Sequence, residues 1–304
     1  MNAGVTDGEV RGKVEGFRFR RLEKPEEFRQ VEEVERAVWG AESDGPTLPV
    51  PLLRALQDNG GLVLGAFADI YLAGFAVSML GWDGVTLYHY SHLTAVRPEY
   101  QNHHLGFQLK SFQRDEVLKL GLPEIRWAFD PLQSRGAWLN VRRLGAKPDR
   151  YFPHYYGQLA DAINQGVETD RIRAVWSIAS PSVEARLAGR YPSPAEDRHR
   201  WETSSAIVET EPGESGIRVP NAVGEPTGAS AHLEIPFDLA LVRQHEPKAL
   251  RRWRHATRDA FRAASDLGYV VDDFSVVSTE HERRSFYFLS RAPPEGAGAP
   301  AGLL

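Results

Sequence analysis

The stretch of the chain richest in chemistry runs from Val96 to Gly106, V-R-P-E-Y-Q-N-H-H-L-G. An apolar strand pattern ends here, a proline-bearing turn follows, and a helical pattern opens near Gly106. A helix start presents unpaired N–H groups and the positive end of the dipole, so it can hold an anion such as a phosphate. N–H groups of the preceding loop can widen that site into a nest. The same spacing also fits an ordinary strand-to-helix turn. The strand before it, Val85 to Val96, is unusually polar. Under strict alternation Tyr88, Tyr90, His92 and Thr94 share one face, which suggests a polar cavity rather than a dry core. His92 titrates near neutrality and suits a general base. The other reading of His92 is a core histidine bonded to a neighbour. A bulge in this strand would reverse the faces and bring His89 and Ser91 inward.

The elements that must position these residues alternate in type. Phe17–Leu22 reads as a strand, and Pro25–Trp39 as a helix with proline in its first turn. Pro51–Asn59 reads as a short helix stopped by Gly60-Gly61. Leu62–Phe67 and Tyr71–Ser78 read as a hairpin around Ala68-Asp69. Leu105–Leu120 is helical, with Leu105, Leu109, Phe112, Val117 and Leu120 on its apolar face. Ile125–Phe129 is a buried strand and Ser134–Leu144 a helix. The order is βααβββαβα, which predicts an α/β (α+β) fold: a mixed, mostly antiparallel sheet flanked by helices. A smaller α+β domain follows. It has strands at Arg173–Ile178, His232–Ile235, Tyr269–Phe274 and Arg284–Leu289, and helices at Ser182–Leu187 and Pro247–Leu267. Met1–Glu15 and Arg291–Leu304 read as flexible ends, and Thr210–Ala229, rich in Gly and Pro, as a loop.

With V-x-P-E-Y-Q-x-x-x-x-G before the helix after the fourth strand, the chain resembles the GNAT acyltransferase superfamily. That family's signature is Gln or Arg, two residues, Gly, one residue, then Gly or Ala. Here it falls on Gln101, Asn102, His103, His104, Leu105 and Gly106, with His104 in place of the first Gly. A later family pattern ends the last core helix. Here it reads S-R-G-A-W-L-N-V-R-R-L-G-A (Ser134–Ala146), with Val141 where a Tyr acid often stands and Asn140 the nearest polar group. The strings S-H-L-x-x-V-x-P-E-Y, W-A-F-D-P-L and Y-F-P-H-Y-Y-G resemble a subgroup of long members with an extra C-terminal domain. Some of these are linked to N-succinyl transfer onto amino acids.

The resemblance implies a core over residues 16–170, a second domain over 171–290, and an N-acyltransferase. The donor would be acetyl-CoA or another acyl-CoA, with succinyl-CoA open, and the acceptor a small-molecule amine or amino acid attacking directly. The pantetheine would pair with the backbone at Leu93, Thr94, Ala95 and Val96, and the phosphates with residues 101–106. Tyr90 stands roughly where other members place a carboxylate base. Asn140 would donate to the thiolate or the acyl carbonyl, or simply pack. Asp130, before Pro131, would bind a substrate ammonium, act through water, or cap the next helix. Lys110 would reach phosphates, whereas Arg114 reads as solvated surface. Tyr151, Tyr155 and Tyr156 would line a substrate pocket or an edge strand. Arg243, Lys248, Arg251, Arg252, Arg254, Arg258 and Arg262 form a basic helix face, read as solvated, as a clamp for a dicarboxylic acyl group, or as a nucleic-acid face. The alternative is a CoA- or acyl-metabolite-binding module without turnover.

Composition narrows the field further. At 304 residues with 42% apolar, 25% charged and 10% aromatic residues, the chain is globular. A net charge of −5 argues against sequence-independent nucleic-acid binding, which rests on phosphate neutralisation. Cysteine is absent, so disulfides and thiolate chemistry are excluded. No histidine sits in a metal-ligand spacing such as H-E-x-x-H, so no catalytic metal is expected. No apolar run reaches the ~18 residues of a membrane span, and no signal-peptide pattern opens the chain. A cytoplasmic protein without membrane partners is therefore expected, with pairing of two copies through a sheet edge left open.

Overall fold

The structure, a computed structural model, describes residues 16–40, 48–157 and 168–291. The N-terminal stretch 1–15 and the tail from residue 292, both expected to be flexible, lie outside the described residues. The chain divides into two compact units, residues 1–123 and 124–304.

The first unit is built on β1 (Phe17–Arg21), β2 (Leu62–Ala68), β3 (Tyr71–Trp82) and β4 (Leu87–Val96), joined edge to edge in that order and all antiparallel. Helices α1 (Pro25–Trp39) and α2 (Val50–Asp58) cover one face. There Phe28, Val31, Val34 and Leu53 pack on Val63, Phe67, Phe75 and Val77. Helix α3 (Leu105–Lys119) covers the other, with Leu105 and Leu109 on Ala66 and Ala73. The start of α1 is fixed locally. Glu27 accepts from the N–H groups of Glu23 and Lys24 and from a two-pronged Arg20 guanidinium. Burial alone would raise the Glu27 carboxyl, but Arg20 and these N–H groups outweigh it and hold it down at about 2. Val85, expected inside the fourth strand, sits instead in the exposed turn before it.

The second unit begins with β5 (Glu124–Phe129) and α4 (Ser134–Ala137), which runs directly into a π-helical turn, Trp138–Arg143. β6 (Lys147–Phe152) and β7 (Arg171–Ser177) complete an antiparallel sheet in the order β5-β7-β6. The strand just past residue 170 thus pairs with strands before it. Helices α5 (Pro181–Leu187) and α6 (Pro194–Thr203) follow. Next come β8 (Ser205–Ala206), β9 (Val208–Pro212), β10 (Arg218–Val223) and β11 (Ser230–Ile235). The unit closes with α7 (Leu239–His245), α8 (Pro247–Asp266), β12 (Tyr269–Ser278) and β13 (Arg283–Arg291). The second sheet has the order β12-β13-β11-β8, antiparallel except for the short parallel pair β8–β11. One core unites the unit: Ile172, Val141 and Tyr151 pack with Trp253, Phe261, Phe274 and Tyr287.

The stretch 210–229, expected as a loop, is largely the β9–β10 hairpin. Gly213 and Gly216 make its turn, with Gly213 N–H donating to the Ile217 carbonyl and Gly216 at positive φ. Pro220 is accommodated because the register slips beside it, between Pro220 and Ala222. Among the described residues, no helix is long and apolar enough to cross a membrane.

Candidate active site

The loop between β4 and α3 is tightly folded. Arg97 is anchored by its Nε to the Leu72 carbonyl at 2.9 Å and by its guanidinium to Glu33 at 3.1 Å. A single 3-10 turn, Pro98–Tyr100, follows, and the Tyr100 ring packs edge-on against Phe17 with centroids 5.7 Å apart. Asn102 and His104 then both take positive φ, 69° and 58°. A left-handed non-glycine residue costs about 1–3 kcal/mol, and Asn and His are among the types that tolerate it best. His104, which stands where the resembled signature has a glycine, thus adopts a backbone conformation that glycine takes readily. It stands immediately before α3 as its N-cap, yet its side chain makes no capping bond. Its carbonyl accepts from Gln108 N–H at 3.1 Å. The N–H groups of Leu105 and Gly106 in the first turn consequently lack intrahelical acceptors. Gln101 and His103 bond back within the loop, to the carbonyls of Val96 and Gln101 at 3.2 and 3.0 Å.

The strand leading into this loop is bulged. Ser91 pairs with Ser78 but Leu93 pairs with Val77, so His92 is an extra residue in β4. Strict alternation is broken there, and the expected shared face of Tyr88, Tyr90, His92 and Thr94 is split. His89 and Ser91 are the buried members, at 0% and 3% exposure. His89 lies between Ser78 Oγ at 2.8 Å and the Gly60 carbonyl at 3.0 Å. His92 stays near Tyr90, with ring centroids 6.4 Å apart. Thr94 falls on the Ser78 side, paired with Ala76, and its Oγ1 is buried without a partner among the described residues. Leu93 and Ala95 pack toward α1 and α2, and Val96 toward α3. Burial lowers both histidines below their usual value; for His89 the Gly60 carbonyl opposes the shift and the Arg21 charge adds to it. His92 is therefore neutral at pH 7 and able to accept a proton.

Lys110, expected to reach phosphates, is buried on α3. Its Nζ donates to Ser91 Oγ at 2.7 Å and to Gln113 Oε1 at 3.2 Å. Burial pushes this ammonium down to about 7.

In the second unit, Asp130 follows β5. Its Oδ1 accepts from Leu132 N–H at 2.9 Å, and both oxygens hold the Arg254 guanidinium at 2.7 and 3.0 Å. It caps its own turn and is ion-paired. Asn140 is buried in the π-helical turn, where its carbonyl accepts from Ala146 N–H at 3.0 Å. Val141 beside it belongs to the hydrophobic core. Tyr151 donates to Asp170 at 2.7 Å, whereas Tyr155 and Tyr156 are exposed and stack edge to face at 4.7 Å. Arg258, one helical turn beyond Arg254, forks onto Asp170 with both bonds at 2.8 Å. Burial pulls Asp170 upward, but Arg258, the His154 N–H and Tyr151 together hold it below the usual carboxylate range. The pairing of α8 arginines with specific carboxylates is not visible in sequence spacing, which shows only a basic helix face. Among the described residues, no group of His, Asp and Glu is arranged to hold a metal ion.

Comparison with solved structures returns acetyltransferases. The ribosomal-protein-S18-alanine N-acetyltransferase from Escherichia coli is 17% identical, with 54% of this chain and 95% of that one covered and a TM-score of 0.42. An acetyltransferase of the GNAT family from Streptococcus pneumoniae is 15% identical, with 52% and 98% covered and a TM-score of 0.43. An aminoglycoside 6'-acetyltransferase type Ii is 17% identical, with 53% and 97% covered and a TM-score of 0.43. No family model and no curated protein matches the chain.

Proposed function

We propose that this protein is an N-acyltransferase that moves a short acyl group from acyl-CoA to the amine of a small molecule. The observation that carries the reading is the continuous piece β4–loop–α3. A bulged polar strand runs into a loop with left-handed backbone at Asn102 and His104, and that loop opens a helix whose first N–H groups have no intrahelical partner. These groups suit a pyrophosphate, since they combine free donors with the positive helix end. Residues 101–106 would hold the phosphates, and the main chain of Leu93 to Val96 would pair with the pantetheine arm. When bound, the acyl-CoA supplies an activated thioester carbonyl.

The chain's own residues then have little covalent work to do. Orienting the two reactants supplies much of the acceleration. His92, neutral at pH 7, takes the proton from the attacking amine at its free ring nitrogen, and Tyr90 lies beside it to orient the acceptor. Arg254 and Arg258 are each engaged by a carboxylate of the chain itself, Asp130 and Asp170. Asp130, committed to Arg254, is better suited to fixing its own turn than to proton transfer.

Thiol release from acetyl-CoA tests the reading, measured with a panel of amines that includes amino acids and amino sugars. Release that depends on an acceptor supports it. Val141, buried in the core where related enzymes often carry a Tyr acid, favours a second reading, a CoA-binding module without turnover. Binding of CoA with no release from any acceptor would select that module.

A further inference from the structure

Lys110 is the most heavily buried ammonium of the first unit, 5% exposed, on a helix face that packs against a sheet. An ammonium there is costly: taking a charge out of water costs several kcal/mol, and well-packed apolar residues of like volume often do as well or better. Stability gives no reason to keep a lysine at this position. Its contacts do. Nζ donates to Ser91 Oγ, and Ser91 is the last regularly paired residue before the bulge. The next residue, His92, is the one that β3 leaves without a partner. Gln113, one turn further along α3, accepts a second bond from the same Nζ and steadies it. The bulge is thus gripped from the α3 face while the His92 ring lies near Tyr90. Elsewhere on α3, Glu116 pairs with Arg21 at 2.6 Å and also accepts from Lys119.

We propose that Lys110 is a positioning residue: through Ser91 it fixes the register of the β4 bulge and with it the place and environment of His92. What His92 does there rests on the acyl-transfer reading; where His92 is held does not. The lowered ammonium fits this role, because a group near neutrality at pH 7 grips the hydroxyl at a reduced desolvation penalty.

The test is the titration of the His92 ring by NMR, without any ligand, in the full chain and in Lys110→Met and Ser91→Ala. With the grip gone, the bulge loosens, water reaches the ring, and its midpoint rises toward the ordinary histidine value. Both variants should show the rise. An unchanged midpoint in both overturns the proposal, and so does a rise in Lys110→Met alone, which would mean that Ser91 is not the route. Should Lys110→Met fail to fold, Ser91→Ala decides by itself. In turnover the same variants should lose kcat about tenfold with KM for the donor held; a loss confined to KM overturns the proposal. Because the titration needs no acyl-CoA, failure of the acyltransferase reading leaves it intact, and a flat titration leaves that reading standing.

Discussion

On the acyl-transfer reading, the proposed chemistry concentrates at His92. It is the extra residue of a bulge, its ring centroid 6.4 Å from that of Tyr90, with burial as the cause of its lowered pKa. Replacing it with alanine should lower kcat by about 10²–10⁴, the range for loss of a general base. The pH profile gives an independent check. A base must be neutral to act, and burial holds this one below 6.5, so kcat/KM should be flat from pH 7 to 8 and fall only below 6.5. A break at or above 6.5, or a break that survives in His92→Ala, would remove His92 from the role. Asp130 and Asn140 illustrate the opposite case. Both residue types suit catalysis, but one is spoken for by Arg254 and the other is enclosed in a π-helical turn, and neither fact can be read from residue type alone.

At the scale of elements, the loop before α3 makes the sharpest claim, because His104 carries a backbone conformation that branched side chains resist. His104→Gly should fold at least as stably as the parent, and His104→Val should lose about 1–3 kcal/mol in urea unfolding. A valine variant of parental stability would contradict the left-handed assignment. This strand–turn–helix is legible from sequence, since apolar periodicity, the proline and Gly106 are local signals. The α1 helix, with its proline start and buried stripe of Phe28, Val31 and Val34, is legible in the same way. The bulge is only half legible. Its consequence, His89 and Ser91 inward, can be foreseen as an option, but its position depends on how β3 pairs, which β4 does not encode. The strands β9 and β10 are hidden by their Gly and Pro content. They exist because Arg218 reaches across to Thr210 and Val219 is buried against the second unit's core. Likewise Lys147–Phe152 contains Pro148 and reads poorly as a strand until β7 is placed beside it.

At the scale of the whole molecule, stability should depend on pH through its buried histidines. His232 bonds Ser204 Oγ at 2.9 Å and is lowered by burial to about 4, with the Glu234 charge opposing. A histidine kept neutral by the fold contributes stability in full above its unfolded value near 6.5. That contribution is lost as pH falls from there toward the folded value, and is about 3 kcal/mol for His232. Thermal midpoints should therefore drop between pH 6.5 and 4, and His232→Gln should flatten the drop. An equally steep fall in that variant would place the sensitivity elsewhere.

The most direct measurement is the thermal midpoint of the full chain with CoA, acetyl-CoA and succinyl-CoA at equal millimolar concentration. A ligand that binds only the folded state must raise it. The account predicts a rise with CoA and acetyl-CoA, and the size of any rise with succinyl-CoA ranks it as a donor. No rise with any of the three would contradict the assignment of the loop at residues 101–106 as a phosphate site, and the acyl-transfer reading with it.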